Sequence, residues 1–167
     1  MNSKAKFIAQ GGIIAALYVV LTMISSAMGL ASGVIQVRIS EALCILPLFT
    51  PAAIPGLFIG CLLSNTLSGC VIWDILFGSL ATLIGAVGTY MLRKFADNVP
   101  KTAIAALPTV IANMLIVPFV LRYAYGAEDA IWFMMLTVGA GEVIACVILG
   151  TLLSVGLKKA NVNKILA

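Results

Sequence analysis

Glu142 stands about thirteen residues into an otherwise uncharged apolar run, residues 130–157, with Gly139 and Gly141 beside it. A run of that length and character belongs in a bilayer. There an ionisable side chain is expensive, roughly 2.5–3.5 kcal/mol or more for Asp, Lys or Arg at a helix centre, and its presence needs a reason. Two readings fit Glu142: a carboxylate that binds a ligand or carries a proton, or an internal partner for Arg38 or Arg122. Asn113, midway along the apolar run 102–121, is either a ligand contact or an interhelical hydrogen bond. Asp74 follows Trp73 where another run begins, favoured there by the positive end of a helix dipole or turned towards a ligand. Arg38, Ser40 and Glu41 cluster ahead of the run 42–73, which contains Asn65. Trp73, Trp132, Tyr123 and Tyr125 read singly as interfacial aromatics. Acids, amides, arginine and aromatics nevertheless converge on the outer half of the membrane, which points to a binding site opening outward.

The residue types present also exclude much chemistry. The chain has no His, so the commonest general base and metal ligand is missing. No G-x-x-x-x-G-K-[ST] phosphate loop occurs, so ATP hydrolysis by that route is excluded. Cys44, Cys61, Cys70 and Cys146 form no C-x-x-C pair, lie in or beside apolar runs, and read as small packing residues. Without a Ser–His, Cys–His or metal-ligand cluster, neither an enzyme nor a metal site is expected.

The elements that must position these residues follow from composition. Of the 167 residues, 62% are hydrophobic and 10% charged, with a mean hydropathy of +1.16. A soluble domain carries about 25% charged residues, so this is an integral membrane protein. Its length suits a single membrane domain, residues 1–167, with about 20 apolar residues per crossing. The net charge of +4 is read by position rather than as a nucleic-acid signal.

Uncharged runs cover residues 7–37, 42–73, 75–92 and 102–121, and 130–157 is broken by Glu142 alone. The first follows Lys4 and Lys6 as a signal peptide would, yet it is long and reads as a retained helix, Phe7 to about Met28. Pro47, Pro51 and Pro55 divide the second run into two short helices turning near Thr50–Pro55. Parity supports that division. With six helices both termini share the cytoplasmic side, and Lys and Arg number eight inside and two outside (Arg38 and Arg122). With five, the count is three inside and seven outside, against the positive-inside rule. The predicted fold is therefore an all-α compact bundle of six transmembrane helices. Its second and third helices are short or broken and surrounded by protein. Gly29–Ser40, Ser68–Trp73 and Tyr123–Glu128 become outer loops, and Lys94–Pro100 the main inner one. No internal repeat of the secondary-transporter kind is evident.

Two stripes of small residues stand out. Ala5, Ala9, Gly12 and Ala16 share one face of the first helix and serve either internal packing or the docking of another membrane protein. Gly78, Ala81, Gly85 and Gly88 form a similar stripe on the fourth, read as internal packing.

The run Val37-Arg38-Ile39-Ser40-Glu41-Ala42-Leu43, the run Phe49–Cys61 and the run Trp73–Leu83 together resemble the QueT family. These are queuosine-precursor substrate-binding (S) components of energy-coupling factor transporters. The resemblance covers nearly the whole chain and implies six helices, cytoplasmic termini and an outward-facing site. It also implies partners: a transmembrane coupling protein docked on an A-x-x-x-A face of the first helix, and two ATPase subunits. Here Ala5-x-x-x-Ala9 matches that face literally and Gly12-x-x-x-Ala16 matches it with glycine. The implied ligand is a deazaguanine: queuine or its cyano or aminomethyl precursor. Its ring N–H and exocyclic amine suit a bidentate carboxylate, first Glu142 and second Asp74. Asn113, Asn65 or Arg38 would donate to its carbonyl edge. Trp73 or Tyr125 would stack on its face, and Glu41 would meet the ammonium of an aminomethyl form. The runner-up is a stand-alone ion-coupled transporter of a nucleobase-like solute, with Glu142 carrying the proton.

Overall fold

Pro47, Pro51 and Pro55 break the chain as their chemistry requires in the computed structural model of the protein, which describes residues 3–31 and 35–161. Pro47 closes a 3-10 helix, Ile39–Leu48, and Pro51 lies in the turn that follows. Pro55 falls in the first turn of α2 (Ala53–Leu67), where its missing N–H has no helical partner to lose. The remaining rods are α1 (Ser3–Ala27), α3 (Ile72–Lys94), α4 (Val99–Ala124) and α5 (Ile131–Lys159), each long and apolar enough to cross a bilayer. Among the described residues the fold is all-helical, six rods with no strand. Residues 32–34 of the first outer loop, and Lys164 of the basic count, lie outside the described residues.

The 3-10 helix is the centre of the molecule. Ser40 through Pro47 are buried, sheathed by α1, α3 and α5. Ten residues at about 2.0 Å rise cover only about 20 Å, short of a hydrocarbon core of about 30 Å. A segment enclosed by protein need not match that thickness. Its start is pinned to α1: Ser25 Oγ accepts from the Ile39 N–H at 2.8 Å, and Thr22 Oγ1 donates to Ser40 Oγ at 2.8 Å.

Glycines set the helix separations. A Cβ on Gly56 would lie 2.7 Å from the Gly11 carbonyl oxygen, and one on Gly60 2.7 Å from Tyr18 Cβ, so α1 and α2 touch almost backbone to backbone. The α3 stripe does the same against α4: a Cβ on Gly85 would lie 2.6 Å from Thr109, and one on Gly88 2.5 Å from Pro108. That stripe is internal packing, as its spacing suggests. The α1 stripe is not. Ala5, Ala9, Gly12 and Ala16 are all exposed, and a Cβ on Gly12 would meet nothing within 4 Å.

Two long helices depart from the ideal. α4 begins at Val99 rather than near Thr102, because Asn98 Oδ1 caps it by accepting from the Lys101 N–H at 3.0 Å. It is interrupted at Ala106, where Pro108 has no N–H to return to the Ile104 carbonyl. In α5 a π-helical stretch, Val143–Leu149, starts directly after Glu142. Such wide turns recur at functional sites because they re-aim the side chains around them.

Candidate functional site

One small polar cavity, about 40 Å³, lies between the 3-10 helix and α2, α3, α4 and α5. Each element supplies chemistry to it. The segment entering the 3-10 helix contributes Gln36, Arg38 and Glu41; α3 contributes Asp74, Gly78 and Thr82; α4 contributes Asn113 and Val117; α5 contributes Val138 and Glu142; α2 contributes Cys61. Five of the eight residues singled out in the sequence thus meet there: Arg38, Glu41, Asp74, Asn113 and Glu142. Asn65 stands immediately behind, accepting from Arg38 Nη1 on Oδ1 at 3.1 Å.

Three carboxylates therefore face one guanidinium. An exposed ion pair joins Lys101 and Asp97 at 2.9 Å, away from the cavity. Arg38 donates to Asn65, and Arg122 to the Ala127 carbonyl at 2.7 Å. Among the described residues neither arginine makes a direct ion pair with Glu142, although Arg38 shares its cavity.

The acids are held by neutral donors instead. Glu41 Oε1 accepts from the Tyr18 hydroxyl and Oε2 from the Cys44 thiol at 3.1 Å. Glu142 Oε2 accepts from the Cys146 thiol at 3.1 Å. Asp74 Oδ2 accepts from the Tyr125 hydroxyl at 2.9 Å, and that hydroxyl in turn accepts from the Val71 N–H at 3.3 Å. Partial burial and the Asp74 carboxylate push the Tyr125 phenol above its ordinary value, which keeps it protonated as a donor. A carboxylate offers about four acceptor positions and no donor. Three carboxylates offer more acceptor positions than Arg38, Asn113 and Gln36 can fill, so this lining suits a ligand rich in N–H groups.

Two aromatic assignments are corrected. Trp73 is 55% exposed and stacks on Phe77 at 6.1 Å, on the outer face of α3. There it borders an apolar groove with Phe119 and Tyr123. Tyr125 reaches the site only through its hydroxyl. No aromatic ring lines the cavity among the described residues; Val117 and Val138 form its apolar walls.

The cysteines are more than filler. Cys44 and Cys146 hold the two glutamates, and Cys61 Sγ accepts from Thr82 Oγ1 at 3.4 Å. A signal for this was present: Glu41 and Cys44 are three apart on a 3-10 helix, Glu142 and Cys146 four apart on α5, spacings that put side chains on one face. Tyr18, inside an unbroken apolar run, carried no such signal. Nor did the contact of Gln36 with α5, where a Cβ on Gly141 would come 2.0 Å from the Gln36 carbonyl oxygen. Only a glycine there lets the segment around Gln36 lie against the helix beside Glu142.

The cavity is polar and walled by apolar helices, and comparisons with known proteins place the chain among membrane transporters. The chain is 36% identical over 98 residues to a queuosine precursor transporter of Lactococcus lactis subsp. cremoris (strain MG1363), a stretch covering 58% of this chain and 57% of that relative's length. No solved structure matches it. The family model for the QueT transporter matches residues 8–159, a span that includes every residue lining the cavity. This multi-pass membrane protein belongs to the QueT transporter family.

Proposed function

We propose that the protein is the membrane-embedded substrate-binding subunit of an energy-coupling factor importer, capturing a queuosine precursor from outside the cell. The observation that carries this reading is the convergence of Glu41, Asp74 and Glu142 with Arg38 and Asn113 in one cavity. A deazaguanine supplies what those acids lack. Its ring N–H and exocyclic amine would pair with Glu142, or with Asp74, in a charge-assisted bidentate contact. Its carbonyl would accept from Arg38 or Asn113, with Asn65 holding the arginine in place. Its faces would lie against Val117 and Val138, and the ammonium of an aminomethyl form would go to Glu41. A bicyclic base needs more room than a 40 Å³ cavity offers, so the walls part on binding; the wall segment outside any helix, residues 35–38, moves most readily.

The membrane arrangement belongs to the same proposal. Six crossings with both termini in the cytoplasm put Arg38 and Arg122 outside and the other basic residues inside, as the positive-inside rule requires. The exposed stripe Ala5, Ala9, Gly12 and Ala16 would dock the coupling protein, and two ATPase subunits would supply the energy. Reconstitution tests this. In vesicles the chain alone should bind a deazaguanine but not move it under a proton gradient, and transport should require the coupling protein, the ATPases and ATP. Accumulation driven by the gradient alone would overturn the reading in favour of a stand-alone secondary transporter.

A further inference from the structure

We propose that Glu41, Cys44 and Cys146 form a binding site for a thiophilic divalent cation such as Zn²⁺, set behind the cavity wall. The donor atoms of Glu41, Cys44 and Cys146 lie within 4.8 Å of one another, and all three residues are buried. Glu142, whose Oε2 lies 3.1 Å from Cys146 Sγ, stands outside that group of three and would have to move to supply a fourth donor. In a tetrahedral zinc site with bonds of about 2.3 Å to sulfur and 2.0–2.2 Å to oxygen, adjacent sulfur and oxygen ligands stand about 3.5 Å apart. Cys44 Sγ lies 3.1 Å from Glu41 Oε2 and the three donor atoms lie within 4.8 Å of one another, so ligation draws them together around the ion.

Charge conservation favours the exchange. A dication that binds both sulfurs breaks two S–H bonds and releases two protons. Two positive charges leave as two arrive, and the buried net charge is unchanged, which a low-dielectric interior demands. Two thiolates select Zn²⁺ or Cd²⁺ over the hard cations Mg²⁺ and Ca²⁺. Glu41 lines the cavity and meets Cys44 Sγ at 3.1 Å, so the site borders the cavity. Glu41 and Glu142 also belong to the proposed recognition site, but the ion needs no deazaguanine, and the two proposals fail separately.

Titration of the purified, reduced full chain in detergent with Cd²⁺, with no deazaguanine present, tests the site. One Cd²⁺ per chain should bind with thiolate-to-cadmium charge-transfer absorption, undiminished by excess Mg²⁺ and by Cys70→Ser. Cys44→Ser and Cys146→Ser should each weaken binding by more than about tenfold, a loss that outer-shell changes alone already reach. Should the serine variants fail to fold, zinc-edge X-ray absorption on the wild-type protein decides: two sulfur neighbours at about 2.3 Å are expected. A shell of oxygen and nitrogen only, no saturable absorption, or unchanged Cd²⁺ binding in the Cys44→Ser/Cys146→Ser double variant would overturn the proposal and leave the thiols as hydrogen-bond donors.

Discussion

Glu142 and Glu41 show how a carboxylate is kept inside an apolar bundle without a counter-ion in contact. Each accepts from a neutral donor, and each keeps acceptor positions turned to the cavity. Glu142→Gln should leave the fold intact and weaken deazaguanine binding roughly ten- to a hundredfold, since one charged hydrogen bond of about 1.5–3 kcal/mol is lost. Calorimetry reads this directly; unchanged affinity in the folded variant would move the recognition role to Asp74. Tyr18→Phe probes the supporting donor. It strips one buried oxygen of Glu41 of its partner and should lower stability by about 1–3 kcal/mol, measured by thermal unfolding in detergent.

Between elements, small residues decide what is possible, and their environments differ sharply along the chain. Gly141 has the Gln36 carbonyl where its Cβ would be, at 2.0 Å. Gly141→Ala should therefore push the segment around Gln36 off α5, lowering stability by about 1–3 kcal/mol and weakening ligand binding with it. Gly156, with nothing within 4 Å, is the control: Gly156→Ala should be neutral or stabilising by up to about 1 kcal/mol in a helix interior. Equal unfolding temperatures for the two variants would show that this segment does not bear on Gly141.

At the scale of the whole molecule, orientation and partnership are the quantities to test. A single reporter cysteine at position 126, in a cysteine-free background, should be labelled from outside intact cells, and one at position 97 should not. External labelling at 97 would destroy the six-crossing arrangement, because Arg93, Lys94 and Lys101 flank that loop. Gly12→Leu or Ala16→Trp should leave the isolated protein folded with unchanged ligand affinity, since neither residue touches the cavity and both are exposed. Uptake in cells should nevertheless collapse and the coupling subunit should no longer co-purify, because helix association in lipid depends on close packing. Full uptake by these variants would place the docking surface elsewhere.

Membrane residence, the helical rods, their proline breaks and the acids that needed explaining were all readable from the chain itself. Hydropathy, charge and proline act locally, and a bilayer leaves a continuous apolar segment little choice but a helix. The docking of one rod on another was not readable to the same degree. Glu41, Asp74 and Glu142 are separated by tens of residues, and their meeting depends on how each helix is rotated about its axis. That rotation turns Trp73 outward while its neighbour Asp74 turns in, although both looked equally suited to the site. It brings Cys146 of α5 against the backbone carbonyl of Glu41 at 3.4 Å, a contact between residues 105 apart in the chain. Rotational setting is decided by the fit of small and large side chains across several interfaces at once, and only the tertiary structure solves that problem.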